Sequence, residues 1–291
     1  MKHLLASVDK AFLRDWVEHG ERATRPRDGL LAFVSARAST RTRTSVARAA
    51  QLLGLAFLEI PWTAFYGNPE VHEGARRLVR SELKSMGAAF VRAAVLRVDD
   101  QDLLEVAAGD APPLVINGCT DQWHPLQSLA DLRALRERTG ALAGRAVAFV
   151  GNGDGPVAAS LAVASAAVGC HVRIVGPYPP RNDVCRLTAA LGCPVDYSTD
   201  PSAIRGCVAV YADEWFYRAL SDDERDATRP YRITPELLAA YAPDAAVMHC
   251  LPFGDEITPA LLDTSTSLVW RQAALRAPAL AAYVDYALES T

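Results

Sequence analysis

Short apolar runs rich in Val, Ile, Leu and Phe alternate along this chain with longer segments of helical period. Runs at 30–34, 56–60, 88–98, 113–117, 145–151, 171–176, 194–198, 207–212 and 245–250 predict strands. Segments 41–54, 71–86, 126–139, 157–169, 181–192 and 235–242 predict helices between them. The opening stretch MKHLLASVDKAFLRDW reads as an amphipathic helix, because Asp9 and Asp15 interrupt apolar residues that a signal peptide would keep together. Strand–helix alternation repeated this often predicts parallel sheets covered on both faces. Nine strands are many for one open sheet, so the pattern favours two α/β domains of four or five strands each. A boundary is expected near 139–144, where RERTGALAG interrupts the pattern before a new strand, and the acidic stretch 221–230 reads as a solvated loop.

Composition narrows the function classes. The 291 residues are 50% hydrophobic and 22% charged, which excludes intrinsic disorder. A net charge of −4 makes nucleic acid a poor partner. No apolar run reaches membrane-spanning length. The six cysteines show no CxxC pair and no zinc-like Cys/His spacing, so reduced thiols in a cytoplasm and no metal site are expected.

In open α/β sheets ligands bind beyond the carboxyl ends of strands, so polar residues just after strands are the candidates. After strand 30–34 the chain runs through Ser39, Thr40, Arg41, Thr42, Arg43, Thr44 and Ser45 into a helix. A helix start offers unpaired N–H groups and partial positive charge, and hydroxyls with an arginine fork beside it suit a phosphate dianion. One N-cap residue would satisfy the helix alone; this run exceeds what capping needs. Arg97 ends the strand run 88–98, where a buried cation needs a partner. His124 and Gln127 open a helix around Pro125, and Pro252 follows Cys250 and Leu251 where the last strand stops.

These residues resemble the transcarbamylase family, which includes the aspartate and ornithine carbamoyltransferases. STRTRTS (39–45), HPLQSLADL (124–132) and HCLP (249–252) carry the likeness in the family's order. Arg97 resembles its isolated arginine, and RQAALR (271–276) a degraded QxENR helix start that keeps Gln272 and Arg276. The resemblance implies two domains: 1–138 with a returning C-terminal helix 272–291 for carbamoyl phosphate, and 139–271 for the amine. It implies that Ser39, Thr40, Arg41 and Thr42 bind phosphate, and that Arg97, His124 and Arg276 polarise the carbonyl oxygen. Gln127 and the Leu251 carbonyl, beside Cys250, would hold the carbamoyl NH₂. It implies a cytoplasmic homotrimer or multiple of one, and neither cofactor nor metal. The HCLP form is nearer the ornithine branch than the aspartate branch.

The amine side departs from that branch. The ornithine enzymes' DxxxSM element is matched by Asp213, Glu214, Trp215, Phe216, Tyr217 and Arg218, so Tyr217 and Arg218 replace the Ser and Met. The Asn-rich turn after the first strand of the second domain reads GNGDGPVAAS (151–160), one residue longer and without those asparagines. The expected acceptor is therefore an amine other than ornithine, a shorter diamino acid or a specialised-metabolism intermediate, gripped by Asp213 with Tyr217 shortening the pocket. Asp213 as a simple loop cap is the alternative, as is His124 as a loop-fixing donor. The loop a neighbouring subunit lends in the family falls in 60–77, with Trp62, Tyr66, Asn68 and His72 as candidates to reach across or to anchor a subunit contact. Two other functions compete. A nicotinamide oxidoreductase is weakened by GxGxG spacing at Gly151, Gly153 and Gly155 and by Gly176-Pro177 where a ribose-binding acid belongs, so tight turning explains the glycines better. A non-catalytic binding or assembly subunit is opposed by the intact carbamoyl phosphate set.

Overall fold

The computed structural model describes residues 3–4, 6, 8–21, 24–66, 75–108, 113–213 and 221–289. Two parallel sheets organise them, of four and five strands. The chain clusters into two compact units: 1–12, 19–126 and 276–291 form the first, and 13–18 with 127–275 the second.

The first sheet contains β1 (Leu30–Ser35), β2 (Ala56–Pro61), β3 (Val91–Arg97) and β4 (Leu114–Cys119), in the order β2-β1-β3-β4. Leu31, Ala32, Phe33 and Val34 are all buried, as a parallel strand covered on both faces requires. Gly54 ends the Thr40–Leu53 helix in a left-handed conformation (φ 71°), and its N–H closes the cap on Ala50 and Gln51. Strand order reverses between β1 and β3, so a crevice opens beyond their carboxyl ends, where Ser35 lies level with Arg97. The later part of the Val269–Glu289 helix belongs to this unit. Asp285 pairs with Arg27 at 2.5 Å, and Tyr283 packs edge-on against Phe12.

The second sheet runs β7-β6-β5-β8-β9, built from β5 (Ala146–Asn152), β6 (His171–Tyr178), β7 (Asp196–Ser198), β8 (Ala209–Ala212) and β9 (Ala246–His249). Its reversal falls between β5 and β8, and β8 lies level with β9 through Ala212 and His249. The Ala-rich Pro156–Ala167 helix is buried on nearly every side, which its small residues permit. All six cysteines remain thiols; burial, with Cys193 and Cys207 nearby, pushes Cys170 up to about 12.

The expected loop at 221–230 is instead a helix, Asp222–Thr228, followed by a 3₁₀ turn, Arg229–Tyr231. Asp223 in its first turn complements the helix dipole, and Arg229 pairs with Asp226 one turn earlier. Buried Thr228 and Tyr231 anchor its end. Among the described residues no helix is long and apolar enough to cross a membrane.

Glycines near the ends of β5 and β6 serve close approach. A Cβ on Gly176 would stand 2.1 Å from the Gly151 carbonyl oxygen, and one on Gly153 would stand 2.5 Å from that of Tyr178. Backbone cannot yield as a flexible side chain does. Gly176→Ala is expected to cost about 1–3 kcal/mol or more, measured as the midpoint shift in urea unfolding; an unchanged midpoint would show that β5 and β6 are not packed this tightly.

Candidate active site

The helix after β1 begins with a cap that uses one hydroxyl. Ser39 adopts extended backbone (φ −153°), and its Oγ accepts from the Thr42 N–H at 3.3 Å. Thr44 and Ser45 donate back to helix carbonyls, Ser45 to Arg41 at 2.7 Å. Arg43 pairs with Glu59 at 2.8 Å on the exposed surface. Of the seven polar residues, the Thr40 and Arg41 side chains join neither the cap nor the Arg43–Glu59 pair, and the Thr42 side chain meets the cap through Ser39 Oγ.

Thr42 is buried and draws the other candidates together. Its Oγ1 accepts from Ser39 Oγ at 3.0 Å, Arg276 Nη2 at 3.1 Å and Arg97 Nη1 at 3.4 Å. A hydroxyl offers two lone pairs, so three donors over-subscribe it, and the long Arg97 contact is the least satisfied. The Nε atoms of Arg41 and Arg97 are buried without an acceptor, and neither residue joins an ion pair among the described residues. Buried guanidinium N–H groups lacking a protein acceptor favour an anion there.

His124 stands at the head of the Pro125–Thr139 helix, delivered by a turn in which the Thr120 hydroxyl accepts from Gln122 and Trp123. Gln101, which the sequence reading passed over, accepts from Thr120 at 2.8 Å and from Asn117 at 3.3 Å and fixes that turn. Burial holds His124 well below its usual 6.5, and Arg276, Arg97 and Arg41 add to the effect in that order. The structure therefore brings Arg41, Thr42, Arg97, His124 and Arg276 into one cationic cluster around a neutral imidazole.

In the second unit, β9 ends at His249 and the chain turns sharply. Leu251 has φ 58°, and its N–H donates to His249 Nδ1 at 2.8 Å. That bond leaves the imidazole hydrogen on Nε2, which faces Glu256 Oε1 at 2.9 Å. Glu256 is fully buried and also accepts from the Gly254 N–H. Its role went unread in the sequence, where it looks like any loop acid. The Cys250 thiol donates to buried Asp213 at 2.6 Å, so two amine-side candidates share one contact. Gln127 donates through Nε2 to Asp131 at 2.8 Å, and Gln272 accepts from the His249 N–H at 3.1 Å. Tyr217 and its neighbours 214–220 lie outside the described residues, as do Asn68, His72 and the Tyr66 side chain.

Family models match nearly the whole chain: the aspartate/ornithine carbamoyltransferase carbamoyl-P binding domain over residues 4–137 and the Asp/Orn binding domain over 143–286. The chain belongs to the aspartate/ornithine carbamoyltransferase family. It is 34% identical over 264 residues to the ornithine carbamoyltransferase of Mycolicibacterium paratuberculosis, covering 86% of this chain and 83% of that one. The Methanothermobacter thermautotrophicus ornithine carbamoyltransferase is 35% identical, with 94% of each covered. The crystal structure of ornithine carbamoyltransferase from Gloeobacter violaceus superposes with a TM-score of 0.81 at 31% identity, covering 97% of both chains. This carbamoyltransferase thus keeps the family's two-sheet fold and its returning C-terminal helix.

The electrostatics of the carbamoyltransferase cluster set a pH dependence. His124 takes up a proton less readily folded than unfolded, so the unfolded chain binds more protons below 6.5. Above 6.5 its contribution is constant; below it stability falls by at most about 1.4 kcal/mol per pH unit, until the depressed folded value is reached. Urea titrations at stepped pH on the wild type and His124→Asn are expected to show a shallower acid slope in the variant. Equal slopes would place His124 in an ordinary environment.

Proposed function

We propose that this chain transfers the carbamoyl group of carbamoyl phosphate to the amino group of a small acceptor, giving a ureido product and phosphate. The observation that carries the reading is the gathering of Arg41, Arg97 and Arg276 around Thr42 and neutral His124, with buried N–H groups of Arg41 and Arg97 lacking a protein acceptor. Ser39, Thr40, Arg41 and Thr42 take the phosphate. Arg97, His124 and Arg276 donate to the carbonyl oxygen, and Gln127 and the Leu251 carbonyl take the NH₂.

The chemistry follows from charge. A neutral amine attacks the carbonyl carbon, the new C–N bond forms, and negative charge builds on oxygen, where fixed donors stabilise it. The C–O bond to phosphate then breaks; the departing dianion keeps its electron pair and accepts the amine proton. A neutral imidazole suits this site, since it donates without adding a fourth cation. Orientation and exclusion of water supply much of the remaining acceleration.

For the acceptor, we read Asp213, with Cys250 and Leu251 beside it, as the partner of a cationic group, and the substrate as an amine other than ornithine. Asp213 follows β8 and the turn Asn152–Gly155 follows β5, on adjacent strands at the reversal of the second sheet. Asn152 Oδ1 accepts within that turn, from the Asp154 N–H. A carboxylate from Asp154 in that turn would disfavour an amino acid's own carboxylate there, which favours a shorter or more cationic amine. Ornithine is the second reading, favoured by the names of the relatives above. A cytoplasmic homotrimer is the expected setting of the enzyme.

Purified chain supplied with carbamoyl phosphate and an amine panel including ornithine is expected to release phosphate and form a ureido product, fastest with an amine other than ornithine. Faster turnover of ornithine than of every other amine would reverse the choice of acceptor. Arg41→Ala is expected to lower kcat/KM by roughly 10²–10³-fold, and Asp213→Asn to raise the amine KM with little change in the KM for carbamoyl phosphate. Full activity in Arg41→Ala would remove the phosphate assignment.

A further inference from the structure

Asp131 is a fully buried carboxylate. It lies one turn after Gln127 on the Pro125–Thr139 helix. Gln127 Nε2 at 2.8 Å and Gln272 Nε2 at 2.7 Å donate to its Oδ1, and the Tyr211 hydroxyl donates to its Oδ2 at 3.1 Å. Such a set stabilises the ionised carboxylate, which only accepts hydrogen bonds. A side-chain amide has two distinct ends, and a carboxylate can engage only one of them. Asp131 therefore pins the Gln127 amide with its nitrogen inward and commits Oε1 as the atom presented to a donor.

We propose that Asp131 is a positioning residue that sets the selectivity of this enzyme for a carbamoyl over an acyl group. The inference rests on the reading that Gln127 takes the carbamoyl NH₂. An NH₂ group donates, so it needs an acceptor; a methyl group in the same place offers nothing to Oε1 and leaves that oxygen facing carbon. With the amide reversed, Gln127 would present its own NH₂ to the substrate's NH₂, two donors facing each other. Tyr211 and Gln272 hold the carboxylate in turn. Gln272 also accepts from the His249 N–H, so the orientation of Gln127 is tied to the strand end that carries Leu251. The cost of burying this carboxylate is offset by the donors around it, and its placement gives the site a fixed polarity.

The test compares carbamoyl phosphate with acetyl phosphate, which has a methyl group in place of the NH₂. Affinity for each, by calorimetry on the full chain, gives a preference ratio for the wild type, Asp131→Asn and Asp131→Ser. Asparagine matches the shape but can donate, which frees the Gln127 amide to turn over; serine with a water in the vacated space keeps the measurement available if asparagine prevents folding. The wild type is expected to prefer carbamoyl phosphate, and both folded variants to lose about tenfold of that preference while binding acetyl phosphate nearly as well as before. A structural role alone would weaken both ligands equally and leave the ratio unchanged, which would overturn the assignment of Asp131. A wild type that does not distinguish the two phosphates would instead overturn the functional reading beneath it. Combining Gln127→Ala with Asp131→Asn is expected to add nothing to the loss from Gln127→Ala; an additive loss would show that Asp131 acts through another group.

Discussion

Like charges gathered inside a protein repel one another unless an opposite charge joins them, and this constraint organises the first unit. Arg97 and Arg276 both donate to the Thr42 hydroxyl, and burial depresses the basicity of His124, with Arg276, Arg97 and Arg41 adding to it. A folded chain tolerates such an arrangement because the cations come from separate elements, each fixed by apolar packing behind it. Thr42 lies on a helix seated by Val46, Ala49, Ala50 and Leu53, while Arg97 ends a strand whose residues from Ala93 to Leu96 are buried. Hydrophobic burial thus holds in place an electrostatic conflict that a dianion would resolve.

The second unit solves a different problem, the accommodation of buried carboxylates. Asp131, Asp213 and Glu256 are each buried, and each is met by donors from elsewhere in the unit: two amides and a phenol, a thiol, and an imidazole with a backbone N–H. Burying a charge without partners is prohibitive, so each acid fixes the groups around it. Glu256 sets the imidazole of His249, and that ring fixes the left-handed backbone at Leu251. Backbone groups at this turn are therefore oriented by side chains several residues away.

All nine runs correspond to strands; the inner strands were legible because parallel strands buried on both faces appear as continuous apolar runs, while the edge strands β2 and β7 are partly exposed. The 221–230 segment was not, since charge density resembles a solvated loop until buried Thr228 and Tyr231 are seen to anchor its end. At the site, hydroxyls and arginines concentrated after β1 pointed to an anion, and the shared contacts of Thr42 bring Arg97 and Arg276 to it from positions far apart in sequence. The supporting acids and amides were harder to read. Glu256 and Gln101 have ordinary sequence neighbours, and only burial and partners identify them. Asp131 had one local signal, its spacing of four from Gln127, which on a helix surface is also an ordinary solvated pair.

The central claim, that a phosphate dianion completes the cluster of Arg41, Arg97 and Arg276, is tested most directly on the imidazole beside them. The ring of His124, followed by NMR in selectively labelled protein, should titrate far below 6.5 in the free chain. Saturating inorganic phosphate should move its midpoint part of the way upward, because the anion offsets the guanidinium charges that add to burial in holding it down. A midpoint near 6.5 in the free chain, or one that phosphate leaves in place, would contradict the account.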